Sequence, residues 1–194
     1  MIYMNCIIIH GCPDNAEKAR DPVQRTHDKH WIPWVRKETE KLGISVDVPL
    51  MPFPWEADYH RWKNTFDKLD VNEKTILIGH SCGSAFLVRW LGETKRKVRK
   101  LILVAPWKIA YGIGEELERR KRFYEYNIDS SIRNRVKEIT VFTSDNEEQE
   151  GKESAKIFNE SLGGNIINLS NHGHYTLGDM KTNEFPELIE VIRK

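Results

Sequence analysis

A five-residue segment, Gly79-His80-Ser81-Cys82-Gly83, separates an apolar run at 75–78 from a run of helical character at 84–91. The glycines leave room for a sharp turn, because a side chain at either position would clash with the adjoining strand or helix. The segment therefore predicts a strand, a tight turn and a helix. Ser81 is expected to lie exposed at the carboxyl end of that strand, with a helix N-terminus behind it.

Short apolar runs alternate with helical patterns along most of the chain. The predicted strands cover 5–9, 45–48, 75–78, 100–104, 139–143 and 165–169, and the predicted helices cover 31–42, 55–69, 84–94, 152–162 and 185–193. Apolar strands separated by helices are typical of a parallel sheet covered on both faces. We therefore expect an α/β fold: a three-layer α/β/α sandwich with a mainly parallel, roughly six-stranded sheet, forming a single domain over 1–194.

Two segments depart from this alternation. Residues 11–29 are polar and predict a long loop after the first strand, and residues 107–135 predict one or two helices that form a flap. Long insertions at the carboxyl ends of strands are where substrate loops usually lie.

Composition narrows the functional classes. The 194 residues include 30 basic and 29 acidic side chains, a net charge of +1, which gives no electrostatic basis for binding nucleic acid or an acidic membrane. The N-terminus predicts a first strand rather than a signal peptide, and no apolar run approaches the ~20 residues of a membrane span. Three irregularly spaced cysteines argue against a disulfide framework, so we expect a reducing compartment, the cytoplasm.

A serine hydroxyl needs a base to act as a nucleophile, usually a histidine oriented by a carboxylate. In a fold of this kind the chain order is serine, acid, histidine. Ser144-Asp145-Asn146-Glu147-Glu148 follows the fifth predicted strand, and Asn171-His172-Gly173-His174-Tyr175 follows the sixth. Both segments are expected at the same sheet edge as Ser81.

These residues resemble the small alpha/beta-hydrolase-fold serine hydrolases related to retinoblastoma-binding protein 9 and bacterial YdeN-like esterases. The resemblance spans nearly the whole chain, in short motifs: Ile9-His10-Gly11, His30-Trp31-Ile32-Pro33-Trp34, Pro49-Leu50-Met51-Pro52, Gly79-His80-Ser81-Cys82-Gly83, Val104-Ala105-Pro106, Ser144-Asp145-Asn146, Gly173-His174-Tyr175 and Phe185-Pro186-Glu187-Leu188. It implies that Ser81 is the nucleophile and His174 the base.

Two residues are candidates for the acid that orients His174. Members of the family carry Asp three residues after the serine of this turn, where this chain has Glu147. Glu147 is favoured, because a glutamate can serve as the third member of a catalytic triad if the loop lies farther back. Asp145, which lies nearer the strand end, is the competing candidate.

The oxyanion hole is expected from the backbone N–H of Cys82 and a second donor at Gly11 or Cys12, since Pro13 has no N–H. If both cysteines border this hole, their sulfurs lie close together, which raises the hypothesis that oxidation joins Cys12 to Cys82 and blocks the site reversibly. Trp107, after the fourth strand, is a candidate wall of the acyl pocket.

Alternative roles for the other histidines have less support from the sequence. His172 could replace His174 as the base, but it matches the family less well. His27, Asp28 and His30 lack the helical spacing of a zinc site, so no metal is expected.

The sequence predicts a cofactor-independent, carboxylesterase-like serine hydrolase that forms an acyl-enzyme on Ser81 with an ester, thioester or amide of a small-molecule acyl substrate. One alternative is a binding protein of the same fold with weak or no catalysis, so a protein partner is left open. A nucleotide-dependent enzyme is disfavoured, because Gly11-Cys12-Pro13 stands where a dinucleotide fold needs G-x-G-x-x-G.

Overall fold

The computed structural model describes residues 4–194 and is built on a six-stranded sheet. All strands are parallel, in the order β2-β1-β3-β4-β5-β6. The strands are β1 (Asn5–Ile9), β2 (Ser45–Asp47), β3 (Ile76–His80), β4 (Val98–Val104), β5 (Val136–Ser144) and β6 (Asn165–Leu169). The predicted parallel sheet is confirmed. Residues 1–3, which belong to the predicted N-terminal segment, lie outside the described residues.

Residues 4–194 contain eight α-helices, of which all but the first contribute to the apolar clusters on the two faces of the sheet. They are α1 (Ala16–Arg20), α2 (Ile32–Lys41), α3 (Tyr59–Phe66), α4 (Cys82–Thr94), α5 (Gly114–Tyr124), α6 (Gln149–Leu162), α7 (Leu177–Met180) and α8 (Pro186–Arg193). One apolar cluster joins the sheet to α3, α4, α5 and α6, and a second joins its other face to α2, α7 and α8. Both faces of the sheet are therefore covered. This explains why every residue of β1 and β3 is buried.

The predicted helix 55–69 is wrong at its start. A 3-10 turn (Pro54–Glu56) precedes α3, and the side chain of Asp58 accepts a 2.9 Å bond from Arg61 N, so that α3 begins at Tyr59. The predicted loop 11–29 also contains the short helix α1, and the flap 107–135 contains α5 and a 3-10 turn (Ser130–Asn134).

The parallel register brings the carboxyl ends of the central strands to one edge. Ile9 pairs with Gly79, His80 with Val104, and Ser144 with Leu169. The loops after β1, β3, β5 and β6 therefore leave the sheet side by side. Among residues 4–194, no helix is both long and apolar enough to cross a membrane.

Candidate active site

Ser81 occupies a strained turn between β3 and α4. Its φ of 53° and ψ of −120° lie outside the regions that L-residues ordinarily adopt. Its backbone N–H donates to Val104 O (3.0 Å), which fixes the turn against the end of β4. A Cβ added at Gly79 would lie 2.6 Å from Ser84 Cα, and one at Gly83 would lie 2.4 Å from Ile9 O. The two glycines are therefore a steric requirement of this turn.

His174 links Ser81 to Glu147. Its Nδ1 lies 2.9 Å from Glu147 Oε2 and its Nε2 lies 2.8 Å from Ser81 Oγ. Because a carboxylate only accepts, Nδ1 carries the proton and the bare Nε2 accepts from the Ser81 hydroxyl. The Glu147 side chain is 1% exposed and that of His174 is 27% exposed. The arrangement can deprotonate Ser81 and stabilise the resulting imidazolium.

Gly151 makes room for the longer acid. A Cβ at this position, in the first turn of α6, would lie 2.7 Å from both Cγ and Cδ of Glu147. The Glu147 carboxylate is also held by a 2.9 Å bond from Glu148 N to its Oε1. The extra methylene of glutamate is thus accommodated by a missing side chain four residues later. Sequence reasoning missed Gly151, although a glycine inside a helical pattern is itself a signal of close approach.

Asp145 does not contact the His174 imidazole. Its Oδ1 accepts a 2.8 Å bond from Asn171 N, and this bond lowers the pKa of the Asp145 carboxyl. The neighbouring Asn146 accepts from Gly173 N at 2.8 Å. The turn after β5 thus fixes the loop after β6, which brings Glu147 and His174 together.

His172 also lies away from Ser81. Its Nδ1 donates to Ser170 O at 2.8 Å, and its ring packs on Tyr175 and Phe185. The geometry of a base is therefore found at His174 and not at His172.

Two further histidines hold the backbone around His174. His80 Nε2 donates to the carbonyl of His174 at 2.9 Å, and His30 Nδ1 accepts from Leu177 N at 3.0 Å. Burial, together with the nearby His174, lowers the pKa of His80 well below its usual value and that of His30 to about 4. Both rings are therefore neutral at neutral pH, so they add no positive charge beside His174. The role of His30 was not predicted.

The two segments expected to form an oxyanion hole lie beside Ser81. Cys82 is the first residue of α4, where backbone N–H groups have no partner within the helix. A Cβ on Gly11 would lie 3.4 Å from Ser81 Cβ. The Gly11 carbonyl accepts bonds from His10 Nδ1 and Thr26 Oγ1, each of 2.7 Å. In a trans peptide the carbonyl and the following N–H point to opposite sides, so these bonds turn the N–H of Cys12 away from His10.

The expectation from cysteine spacing is wrong for one pair, and the hypothesised link between Cys12 and Cys82 is present. Cys12 and Cys82 are joined, with their Cα atoms 6.0 Å apart and a separation of 70 positions in sequence. The juxtaposition arises because the loop after β1 crosses the start of α4, which sequence spacing does not reveal. Cys6 is a buried free thiol, and burial raises its pKa.

A cavity of about 400 Å³ opens above Ser81. Its walls include Ser81, His174 and the predicted Trp107, whose ring centroid lies 5.6 Å from that of His174. Trp107 N also donates to Ser81 O at 3.3 Å. The remaining lining residues are Cys12, Asp14, Tyr111, Tyr124, Glu148 and Glu150. The cavity is thus lined by aromatic and acidic side chains together with Ser81 and His174.

The histidines considered as metal ligands face different surroundings. His27 lies against the ring of His10, and His30 against that of His80. Among residues 4–194, no group of three or more His, Cys, Asp or Glu side chains could hold a metal ion.

Comparison with known proteins finds a matching family, a similar sequence and similar folds. Residues 23–194 match a family model described as "Serine hydrolase". The chain is 30% identical over 167 residues to "Serine hydrolase RBBP9" of Rattus norvegicus, covering 84% of each protein. The structure of the ydeN gene product from B. subtilis is similar, with a TM-score of 0.80, 21% identity and coverage of 98% of this chain and 97% of that one. Est1E from Butyrivibrio proteoclasticus has a TM-score of 0.59 at 14% identity and covers 99% and 89%.

Proposed function

The chain belongs to the serine hydrolase family, and we propose that it cleaves carboxylic esters through an acyl-enzyme formed on Ser81. The observation behind this proposal is the pair of bonds at His174: 2.8 Å to Ser81 Oγ and 2.9 Å to Glu147 Oε2. They provide a nucleophile, a base within reach and a group that orients the base.

In the proposed reaction His174 Nε2 takes the proton of Ser81 as Oγ attacks the ester carbonyl carbon. The negative charge that develops on the carbonyl oxygen is stabilised by the N–H of Cys82 and a second N–H at Gly11 or Cys12. The imidazolium, stabilised by Glu147, then gives its proton to the departing alcohol. Water, activated by the same histidine, releases the acid and regenerates Ser81.

The substrate is proposed to be a small molecule whose acyl group packs against Trp107. A cavity of about 400 Å³ is in the size range of small-molecule sites. Thioesters and amides would react through the same kind of tetrahedral intermediate as esters and differ from them in the leaving group. The alternative of a binding protein with weak catalysis depended on the unusual acid, and the contact between Glu147 and His174 weighs against it.

The test is a series of nitrophenyl esters of graded acyl length, with the matching nitroanilides run in parallel. We expect ester turnover by the native protein and none above background by Ser81→Ala. A longer optimal acyl chain is expected in Trp107→Ala, because removing the indole enlarges the pocket. Equal rates for native protein and Ser81→Ala would contradict the proposal.

A further inference from the structure

The Cys12–Cys82 bridge joins the two segments proposed to bind the oxyanion. Cys82 directly follows Ser81 and begins α4, and Cys12 lies in the loop after β1. Cys82 is fully buried, whereas Cys12 is half-buried and lines the cavity together with Ser81. The cavity therefore brings a small reagent to Cys12, the less buried half of the bridge.

The bridge restrains a segment that is otherwise held on one side. The Gly11–Cys12 peptide group is oriented at its carbonyl end by the bonds from His10 and Thr26. The Cys12 side chain packs against the apolar cluster that includes α4 and is joined to α4 covalently through its sulfur. The backbone of α4 stays docked without the bridge, because Gly83 packs directly against Ile9 O and His10 O. Opening the bridge should therefore let the Cys12 N–H shift relative to α4, pivoting about its hydrogen-bonded carbonyl, without displacing Ser81.

The third cysteine is separated from this pair by the sheet. Cys6 belongs to the apolar cluster on the α2 and α8 face, and Cys82 belongs to the cluster on the opposite face. Cys6 is 0% exposed. It is thus out of reach of exchange with Cys12 or Cys82, which leaves one defined disulfide.

We infer that Cys12–Cys82 is a thiol–disulfide modification site whose oxidised form fixes the oxyanion hole, so that a dithiol reductant lowers turnover. This reverses the hypothesis from the sequence, in which the disulfide blocks the site. With the disulfide formed, Ser81, His174 and Glu147 are in contact and the cavity above Ser81 is open. The inference rests on the proposed function.

The chemistry is a two-step exchange. A thiolate of the reductant attacks Cys12 Sγ, the S–S bond breaks, and Cys82 leaves as a thiolate, a form favoured at a helix N-terminus. The second thiol of the reductant then attacks the mixed disulfide, releasing Cys12 and forming the reductant's own disulfide. Two electrons pass to the protein, and both cysteines end as thiols after protonation. Oxidised glutathione reverses the reaction and leaves two molecules of reduced glutathione.

The experiment measures ester hydrolysis by the full chain before reduction with dithiothreitol, after reduction, and after reoxidation with oxidised glutathione. Alkylation and intact mass count the thiols at each stage. We expect kcat/KM to fall at least about ten-fold on reduction and to recover on reoxidation, since losing a whole oxyanion donor costs about 10²–10³-fold. Cys6→Ala should respond like the native protein, and the Cys12→Ser/Cys82→Ser double variant should have the reduced rate and ignore both reagents.

Hydrolysis of a thionoester distinguishes loss of an oxyanion donor from a general loosening of the protein. Its sulfur binds the donors of an oxyanion hole poorly, so the rate ratio of ester to thionoester should fall on reduction. Equal rates in the oxidised and reduced forms, or an unchanged ratio, would overturn the inference while leaving the proposed function intact. Failure of the proposed function looks different, because the oxidised protein itself would then show no Ser81-dependent hydrolysis.

Discussion

At the scale of single residues, the proposed acid is the carboxylate that contacts His174 and not the one that lies nearer the strand end. Asp145 lies nearer the strand end, yet its carboxylate bonds to Asn171 N, while Glu147 reaches His174. The two carboxylates thus bind different groups: Asp145 fixes the backbone of the loop after β6, and Glu147 binds the His174 imidazole. The chain order of serine, acid and histidine could be predicted from sequence, but the choice between two neighbouring acids required the path of the loop.

Glu147→Gln should lower kcat by about ten thousand-fold, because an amide at this position stabilises the wrong tautomer of His174 and no imidazolium. KM should change little, since Glu147 does not line the cavity. Steady-state hydrolysis of a nitrophenyl ester measures both constants. Asp145→Asn is the matched control; it keeps an oxygen that can accept from Asn171 N and should retain most of the activity. The reverse pattern would identify Asp145 as the acid.

Gly151→Ala should displace the Glu147 side chain, because the new Cβ would lie 2.7 Å from its Cγ and Cδ. We expect kcat to fall by about ten-fold or more, with thermal melting used to confirm folding. The shorter aspartate relieves this clash. Glu147→Asp should therefore lower kcat less in the Gly151→Ala background than in the native protein. Strictly additive effects in this double-mutant cycle would show that Gly151 does not act through Glu147.

At the scale of elements, the strands were predictable because most are buried on both faces and are therefore continuously apolar. The start of α3 was not predictable, because Phe53 adopts a left-handed φ of 46° and Asp58 caps a helix that begins four residues after the predicted start. The Cys12–Cys82 disulfide could be raised only as a hypothesis, from the expected placement of both cysteines at the oxyanion hole, because residue spacing does not encode where the loop after β1 crosses α4.

Gly83→Ala should destabilise the protein by about 3 kcal/mol, because its Cβ would lie 2.4 Å from Ile9 O, a backbone atom of β1 that cannot move aside. Gly92→Ala, in the same helix, is the control. Its Cβ would meet Asp129 Cβ at 3.3 Å, and a change within about 1 kcal/mol is expected. Urea unfolding measures both free energies. Similar losses for the two variants would contradict the account of the turn.

At the scale of the whole molecule, buried neutral histidines link stability to pH. Burial is the main cause that lowers the pKa of His10 from 6.5 to about 4, and His27 nearby adds to it. His80 is shifted in the same direction. Between pH 6.5 and 4 the unfolded chain binds protons that these folded residues do not, so the free energy of unfolding must fall as the pH falls through that window.

We therefore expect the protein to be less stable at pH 5 than at pH 7.5, with His10 alone accounting for about 2 kcal/mol. Urea unfolding at the two pH values measures the difference. Carboxylates with lowered pKa values, such as Asp145, lose their contribution only below this range. The pH dependence should shrink in His10→Gln, which cannot titrate. Equal or greater stability at pH 5 would refute the assignment of neutral buried rings.

The central claim is that Ser81 is an activated nucleophile, and covalent labelling with a fluorophosphonate followed by intact-mass analysis and peptide mapping tests it most directly. We predict one adduct per chain on the peptide that contains Ser81, slower labelling in His174→Ala, and no adduct in Ser81→Ala. Absence of labelling in the folded native protein, or an adduct that persists in Ser81→Ala, would contradict the account.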